Sequence, residues 1–387
     1  MVPAPRLDGL TGPMAPAGWS IARRLAAVVM LVVALAVVAA APVITGTARA
    51  AALLSDVVLR ASARPLAYLT PRPTVETLVW SNGGTGVLTL PGGHGRHAGF
   101  VVMLGAEPAA PDDPRVQRLT DGMARSGLAT LLVRSPRLID GMVTADEPQL
   151  LADAFRALRD HPRIRGGRAG FLGLSVGGSI AIVASTDPAI ADQVWCVLAI
   201  GPHYDGRTLV ASVAGHAYRD RETVVPWSPD DVATAIIART LLDALPEADR
   251  AAIARGTEPA TPDGRILRDL LRGTDLANAE RLVAGLSEET QSRLDAVSPR
   301  GRLDRLRAPL YLVHDRHDAF IPWTESEALA AEGHPAVYER LDLLQHVDPR
   351  PADTGVLVRD GWRLLRLFTR ILVSAFDSAT AVQPARA

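Results

Sequence analysis

The sequence contains no lysine and a single cysteine, Cys196, among 387 residues. One cysteine excludes an internal disulfide, and its place in the apolar run VWCVLAI marks it as a small buried hydrophobe. All 41 basic residues are arginine, and 42 acidic residues leave a formal net charge of −1. No basic stripe of the kind that grips a phosphate backbone is present, so no nucleic-acid partner is expected. Convincing metal-ligand spacing is missing too. The most ligand-rich stretch, His314-Asp315-Arg316-His317-Asp318, sits at a strand end where consecutive side chains point in different directions, so no metal and no cofactor is expected.

What is present is a globular composition, 48% hydrophobic, long enough for one large domain with an insertion or for two modest domains. Residues 1–20 are rich in proline, glycine and alanine without periodicity and read as a disordered tail, and residues 379–387 form a second tail. Residues 25–44, LAAVVMLVVALAVVAAAPVI, carry no charge, and about 20 residues at a helical rise match a hydrocarbon core. The region 21–45 therefore reads as a transmembrane anchor or a secretory signal segment. Arg23 and Arg24 form a basic start and Ala48-Arg49-Ala50 offers a cleavage site, but the apolar run is longer than a signal core, which favours an uncleaved anchor. The arginine pair before it predicts an inside amino terminus, with the rest of the chain outside, or secreted if the segment is cut. Residues 46–73 read as a juxtamembrane linker with a short amphipathic helix.

From residue 75 onward, buried strands alternate with helices. Residues 75–80 and 86–90 form a predicted hairpin across Ser-Asn-Gly-Gly-Thr, and FVVML at 100–104 reads as a fully buried strand. A helix around 115–125, the strand LATLLV from 128, a helix around 149–161, the strand before residue 175 with its following helix, and VWCVLAI continue the pattern. Such alternation predicts an α/β fold with a mostly parallel sheet covered on both faces, its first part spanning 74–202. Strand signals then vanish until about residue 309, and the segments between, including ATAIIARTLLDAL and ILRDLLRGT, have helical spacing. They predict a helical insertion over 203–300. Alternation resumes over 301–378 with LYLVHD, a helix at 324–331, VYERLDLL and a last helix over 355–376, whose Arg363, Arg366 and Arg370 line one solvated face.

Within this frame one stretch carries chemistry. Gly173-Leu174-Ser175-Val176-Gly177 fits G-x-S-x-G between a buried strand and a helix, the setting of a nucleophile elbow. A serine hydroxyl is a poor nucleophile until a base takes its proton, and that base needs an acid to orient it. His346, after VYERLDLL, is the best-placed base. The acid belongs after the preceding strand, where Asp318 is preferred because a following apolar residue and proline would fix its loop. Asp315, nearer the strand end, suits turn hydrogen bonds, and Asp205, after VWCVLAI, is a third possibility.

This order of Ser, Asp and His on alternating strands resembles the α/β-hydrolase fold superfamily over about residues 75–376, through GLSVG, HDRHDAFIP and LLQHV. The resemblance implies an eight-stranded, mainly parallel sheet, a lid inserted after the sixth strand, and hydrolysis through an acyl-enzyme. It also implies an oxyanion site formed by the backbone N–H of Val176 and one from Glu107 or Ala106. Many members carry His-Gly after the third strand, whereas this chain has Leu104-Gly105-Ala106-Glu107-Pro108; a backbone donor is what the chemistry needs. The expected reaction is cleavage of an ester or thioester on a small acyl-containing substrate. Peptidase and acyltransferase activity with the same three residues are alternatives, as is a membrane-tethered, non-catalytic domain that binds a ligand or a protein. Oligomeric state is not readable from the sequence.

Overall fold

A computed structural model describes residues 40–58, 64–106, 113–349 and 352–376. Residues up to Thr45 form a separate unit from the body that begins at Gly46. The tails and most of the 25–44 segment lie outside the described residues, and among the described residues no helix is long and apolar enough to cross a membrane.

Numbering strands in chain order, the body's main sheet contains β1 (Thr74–Val79), β2 (Thr85–Leu90), β3 (His97–Met103), β4 (Leu128–Arg134), β5 (Ile164–Leu174) and β6 (Val197–Ile200). Strands β7 (Ala217–Asp220) and β8 (Thr223–Pro226) lie in the insertion, and β9 (Leu310–Asp315) and β10 (Val337–Leu341) complete the main sheet. Its order is β1-β2-β4-β3-β5-β6-β9-β10. β2 runs antiparallel to both β1 and β4, and every other pairing is parallel. The β1–β2 turn puts Asn82 and Gly83 at φ 74° and 75°, a left-handed conformation that these two residue types tolerate.

The period of two along the buried strands sends side chains to two separate cores. Val101, Met103 and Phe171 face one side, where they meet α5 (Glu147–Arg159), α6 (Val176–Ser185) and α13 (Trp323–Gly333) through Phe155, Ile180 and Leu329. Phe100, Val102 and Leu172 face the other, against α1 (residues 46–57 within the body), α3 (Pro114–Ser126) and α14 (Thr354–Phe376) through Leu53, Met123 and Leu367. The short helices α2 (Pro65–Leu69) and α4 (Pro136–Ile139) flank α3 in the chain, and α3 has its start and stop written locally. Asp113 caps it by accepting from Arg115 N at 2.7 Å, Pro114 occupies its first turn, and Gly127 at φ 102° ends it. α14 buries Leu364, Leu367 and Ile371 while Arg363 and Arg366 reach Glu339, so its basic stripe is a solvated face of a packed helix.

Two parts of the body differ from the sequence reading. Residues 46–57, expected as part of a linker with a short amphipathic helix, are helical but belong to the body, burying Ala50, Leu53 and Leu54 against the sheet's second face. The buried Asp56 anchors this region by accepting from Arg64 at 2.7 and 3.0 Å. The insertion, expected to be wholly helical, contains the β7–β8 hairpin, in which Ala217 pairs with Pro226 and Asp220 with Thr223. Four-residue strands that are largely solvent-exposed leave too little alternation to be read from sequence. The rest of the insertion is α7 (Gly206–Gly215), α8 (Asp231–Asp243), α9 (Glu247–Arg255), α10 (Pro262–Leu271), α11 (Leu276–Ala284) and α12 (Glu288–Ala296). These helices share a third core of Val210, Leu241, Leu267, Leu270, Ala279 and Leu294, so the insertion packs as a body of its own.

Candidate active site

The carboxyl ends of the parallel strands gather the sequence's candidate residues on one edge of the sheet. Ser175 follows β5 directly and starts α6 with φ 57° and ψ −136°, a conformation that non-glycine residues rarely adopt. Its N–H donates to the Ile200 carbonyl at 2.8 Å, so the sheet ladder continues up to the turn and holds the strained residue in place. The flanking glycines are required by close approach and not by their own backbone angles. A Cβ on Gly173 would lie 2.2 Å from the Gly177 carbonyl oxygen, and one on Gly177 would lie 2.5 Å from the carbonyl oxygens of Met103 and Leu104. The turn can be this sharp only because neither side chain exists.

His346 occupies another strained position, φ 58°, in the two-residue turn between β11 (Leu344–Gln345) and β12 (Asp348–Pro349). Its Nδ1 lies 2.7 Å from Asp318 Oδ2. With a carboxylate as acceptor, Nδ1 carries the proton and Nε2 is left as the free lone pair. The Phe320 ring stacks on the imidazole, with centroids 4.4 Å apart and planes 11° from parallel, which fixes the ring's tilt.

Asp318 is fully buried and every side of its carboxylate is used. Oδ1 accepts from the N–H groups of Phe320 at 2.7 Å and Ile321 at 3.0 Å, while Oδ2 faces His346 and, at 3.2 Å, Nε2 of His314. Burial by itself would raise its pKa, but the charge of His346 and the hydrogen bonds from His314 and His346 outweigh it. The carboxyl is held well below the usual range. Such a group stays ionised and can orient the imidazole and stabilise its charged form.

The other two acids are engaged elsewhere. Asp315 Oδ1 accepts from His317 N and its Oδ2 from Leu344 N, both at 2.8 Å, so it ties the end of β9 to the His346 turn. Asp205 caps α7 through Arg207 N at 2.9 Å and pairs with Arg300 at 2.6 Å. Among the oxyanion candidates, Val176 opens α6 beside Ser175, and Ala106 lines the same cavity as both. Glu107 lies outside the described residues. Among those residues no group of histidine, cysteine and acidic side chains has metal-binding geometry.

Ser175, Val176, Ala106 and His346 share the wall of a cavity of about 110 Å³. The insertion contributes Leu209, Ile236, Ile237 and Leu241 to its wall, so its lining is dominated by aliphatic groups. Two hydrogen bonds moor the insertion to the acid's loop. Trp227 Nε1 donates to the Asp318 carbonyl at 3.0 Å, and Asp230 N donates to the Ala319 carbonyl at 2.7 Å.

Four residues of this arrangement were not assigned a role from the sequence. Gly105 brings its loop so near the elbow that a Cβ there would sit 2.9 Å from Ser175 Cβ and 3.2 Å from its Oγ. Gly201, at φ 64°, passes beneath Asp318 and His346, where a Cβ would lie 3.5 Å from both Asp318 Oδ2 and His346 Nδ1. Phe320 and His314 are the others. Their only signal was proximity to Asp318, two and four positions away, which does not say which way either ring points.

No protein-family model matches the chain, and no curated protein matches its sequence. Solved structures are similar to it at low identity. The α/β hydrolase GrgF from Penicillium sp. sh18 is 16% identical over 78% of this chain and 100% of its own, with a TM-score of 0.48. The 2,6-dihydroxy-pseudo-oxynicotine hydrolase is 14% identical over 80% of this chain and 69% of its own, with a TM-score of 0.46. A puromycin-hydrolyzing peptidase from Mycobacterium tuberculosis is 17% identical over 81% of this chain but only 41% of its own, also with a TM-score of 0.46.

Proposed function

We propose that this chain, whose sheet has the α/β-hydrolase architecture, is a serine hydrolase that cleaves a carboxylic ester or thioester through an acyl-enzyme on Ser175. The observation that carries the reading is a serine on a strained elbow sharing a cavity wall with a histidine whose Nδ1 is 2.7 Å from a buried carboxylate. His346 Nε2 takes the hydroxyl proton as Ser175 Oγ bonds to the substrate carbonyl carbon. The oxygen of the tetrahedral intermediate is held by N–H groups of Val176 and of the loop after β3. The His346 proton passes to the leaving alcohol or thiol, the acyl-enzyme forms, and water activated by the same Nε2 releases the acid and restores the serine. Asp318 keeps the proton of the resting histidine on Nδ1 and stabilises the imidazolium.

The aliphatic lining favours a short apolar acyl group over a peptide chain. A dry cavity of about 150 Å³ accommodates benzene, so about 110 Å³ suits an acyl chain of roughly four to six carbons. The same reading keeps residues 25–44 as an uncleaved membrane anchor with the catalytic body outside. Alkaline carbonate extraction and protease accessibility of intact cells test that part.

The central test is labelling by a fluorophosphonate, which reacts with activated serines. Native protein should label, while Ser175→Ala, His346→Ala and heat-denatured protein should not. Folded, unlabelled native protein that also turns over no aryl ester would sink the hydrolase reading and leave a ligand-binding domain.

A further inference from the structure

The edge of the sheet opposite Ser175, where the parallel strands begin, collects arginines from segments far apart in the chain. Gly46, the first residue of the body, packs there against the end of α14, so closely that a Cβ on it would lie 2.8 Å from Val373 Cγ2. Arg49 lies over the Phe376 ring at 4.4 Å and donates to the Ser126 carbonyl at the end of α3. Arg165 donates to the Ala375 carbonyl at 3.3 Å, and Arg163 donates to the carbonyls of Pro91 and Gly93, in the loop before β3, at 2.8 and 2.5 Å. Arg96 is exposed in that loop, whose Gly92 packs against Pro71 and the exposed Arg72. α2 ends beside them, its Ala67 carbonyl and that of its cap Thr70 accepting from Arg125.

Among the described residues no carboxylate pairs with Arg49, Arg72, Arg96, Arg163 or Arg165. The acids around them are engaged elsewhere: Asp56 with Arg64, Asp121 with Arg64 and Arg125, Asp160 with Arg159, and Glu76 with His161. At the end of α2, Tyr68 and Leu69 are 82% and 80% exposed. An aromatic and an aliphatic side chain held in water beside unpaired cations have a complement that satisfies both, a surface of anionic headgroups over hydrocarbon. A nucleic acid would meet the charge and leave Leu69 in water.

Resting on the reading of residues 25–44 as an uncleaved anchor, we propose that this edge of the body lies on an anionic bilayer, with Tyr68 and Leu69 in the headgroup layer and the five arginines among lipid phosphates. The chain enters the body at this same edge, at Gly46, directly after the anchor segment. Ser175 stands at the strands' other ends, roughly 20 Å away over the seven residues of β3. The catalytic edge therefore faces the aqueous phase, and the substrate is a water-soluble ester or thioester and not a lipid drawn from the bilayer. An acyl site of about 110 Å³ suits such a substrate.

The test reconstitutes the full chain in vesicles of phosphatidylcholine alone or with about 30% phosphatidylglycerol. Cys196 is buried, so Tyr68→Cys and, on α12 of the insertion, Glu289→Cys can each carry a single polarity-sensitive fluorophore. In the anionic vesicles the probe at Tyr68 should shift to the blue and be quenched by nitroxide-labelled headgroups, and the probe at Glu289 should do neither. Arg72→Glu combined with Arg96→Glu should reverse the response at Tyr68, while thermal unfolding and turnover of a soluble aryl ester stay at wild-type values. Carbonate extraction of the same vesicles tests the anchor separately. A released chain should still float with anionic vesicles, about 25-fold more weakly in the double variant, since each arginine near the surface contributes about fivefold. About 1 M salt, which shortens the screening length to about 3 Å, should abolish that flotation. A probe at Tyr68 that stays in water in both vesicles, a response unmoved by the double variant, or an immersed probe at Glu289 would overturn the proposal. Binding of a DNA duplex in place of the vesicles would overturn it as well. The fluorescence and flotation readouts need no turnover, so failure of the hydrolase reading is seen separately.

Discussion

Replacing Asp318 by asparagine changes one atom and should nearly abolish turnover, for a reason that the hydrogen-bond geometry makes explicit. Oδ1 accepts two backbone N–H groups, from Phe320 at 2.7 Å and Ile321 at 3.0 Å, and only an oxygen can fill that role. The asparagine carbonyl therefore takes the Oδ1 site and its NH₂ takes the Oδ2 site, 2.7 Å from His346 Nδ1. That NH₂ can only donate, so Nδ1 must become the acceptor and the imidazole proton moves to Nε2. The atom that should accept the serine proton is then already occupied, and the charge that stabilises the imidazolium is gone. Where a buried triad aspartate has been exchanged in this way the loss is about 10⁴ in kcat, roughly 5 kcal/mol of transition-state stabilisation. The assay is kcat/KM on a short-chain aryl ester with thermal unfolding in parallel. An Asp318→Asn protein that folds and retains more than a tenth of wild-type kcat would refute the assignment of Asp318 and return attention to Asp205.

Three further outcomes follow from the same contacts. Gly105→Ala places a Cβ 2.9 Å from Ser175 Cβ, which should displace the loop after β3 proposed to hold the oxyanion and lower kcat about 100-fold with little change in Tm, read by steady-state kinetics and calorimetry. Asp315→Ala removes the acceptor for the N–H groups of His317 and Leu344; chemical denaturation should show a loss of about 2 kcal/mol or more, and a loss under 0.5 kcal/mol would remove Asp315 as the tie to the His346 turn. Because the folded pKa of Asp318 is depressed, its contribution to stability is complete above the unfolded carboxylate value, about 4, and is lost as pH falls through the lower folded value. Unfolding curves between about pH 2 and 6 should therefore steepen below pH 4 in wild type and flatten in Asp318→Asn, and parallel curves would exclude a low folded pKa.

The local grammar of this chain was legible from residue order alone. Buried strands such as FVVML were legible as short, continuous apolar runs, the pattern of a strand covered on both faces, and residues 100–103 do alternate between two cores. The G-x-S-x-G pattern stated its own geometry, because a turn that leaves no room for a Cβ on Gly173 or Gly177 can be written with few other residues. Ser175, Asp318 and His346 stood out as candidates in that order because the proposed chemistry demands those types and strand ends are the places that present them.

What the order could not state was which groups meet across the sheet's edge. Asp318, Asp315 and Asp205 are equivalent as letters, and their separate tasks come from contacts with His346, Leu344 and Arg300 at sequence separations of 28, 29 and 95. His203 read as one histidine among nine, and only the fold brings its Nδ1 to within 2.8 Å of Ser179 Oγ. The helix over residues 46–57 was readable as amphipathic, but its place in the body was not, because its apolar residues gain meaning only against the sheet face they cover. Sequence thus determined conformation wherever the cause was local: a missing Cβ, a period, a cap. Tertiary structure decided every role that depends on desolvation or on a partner's position, because both are properties of the packed assembly and not of any segment within it.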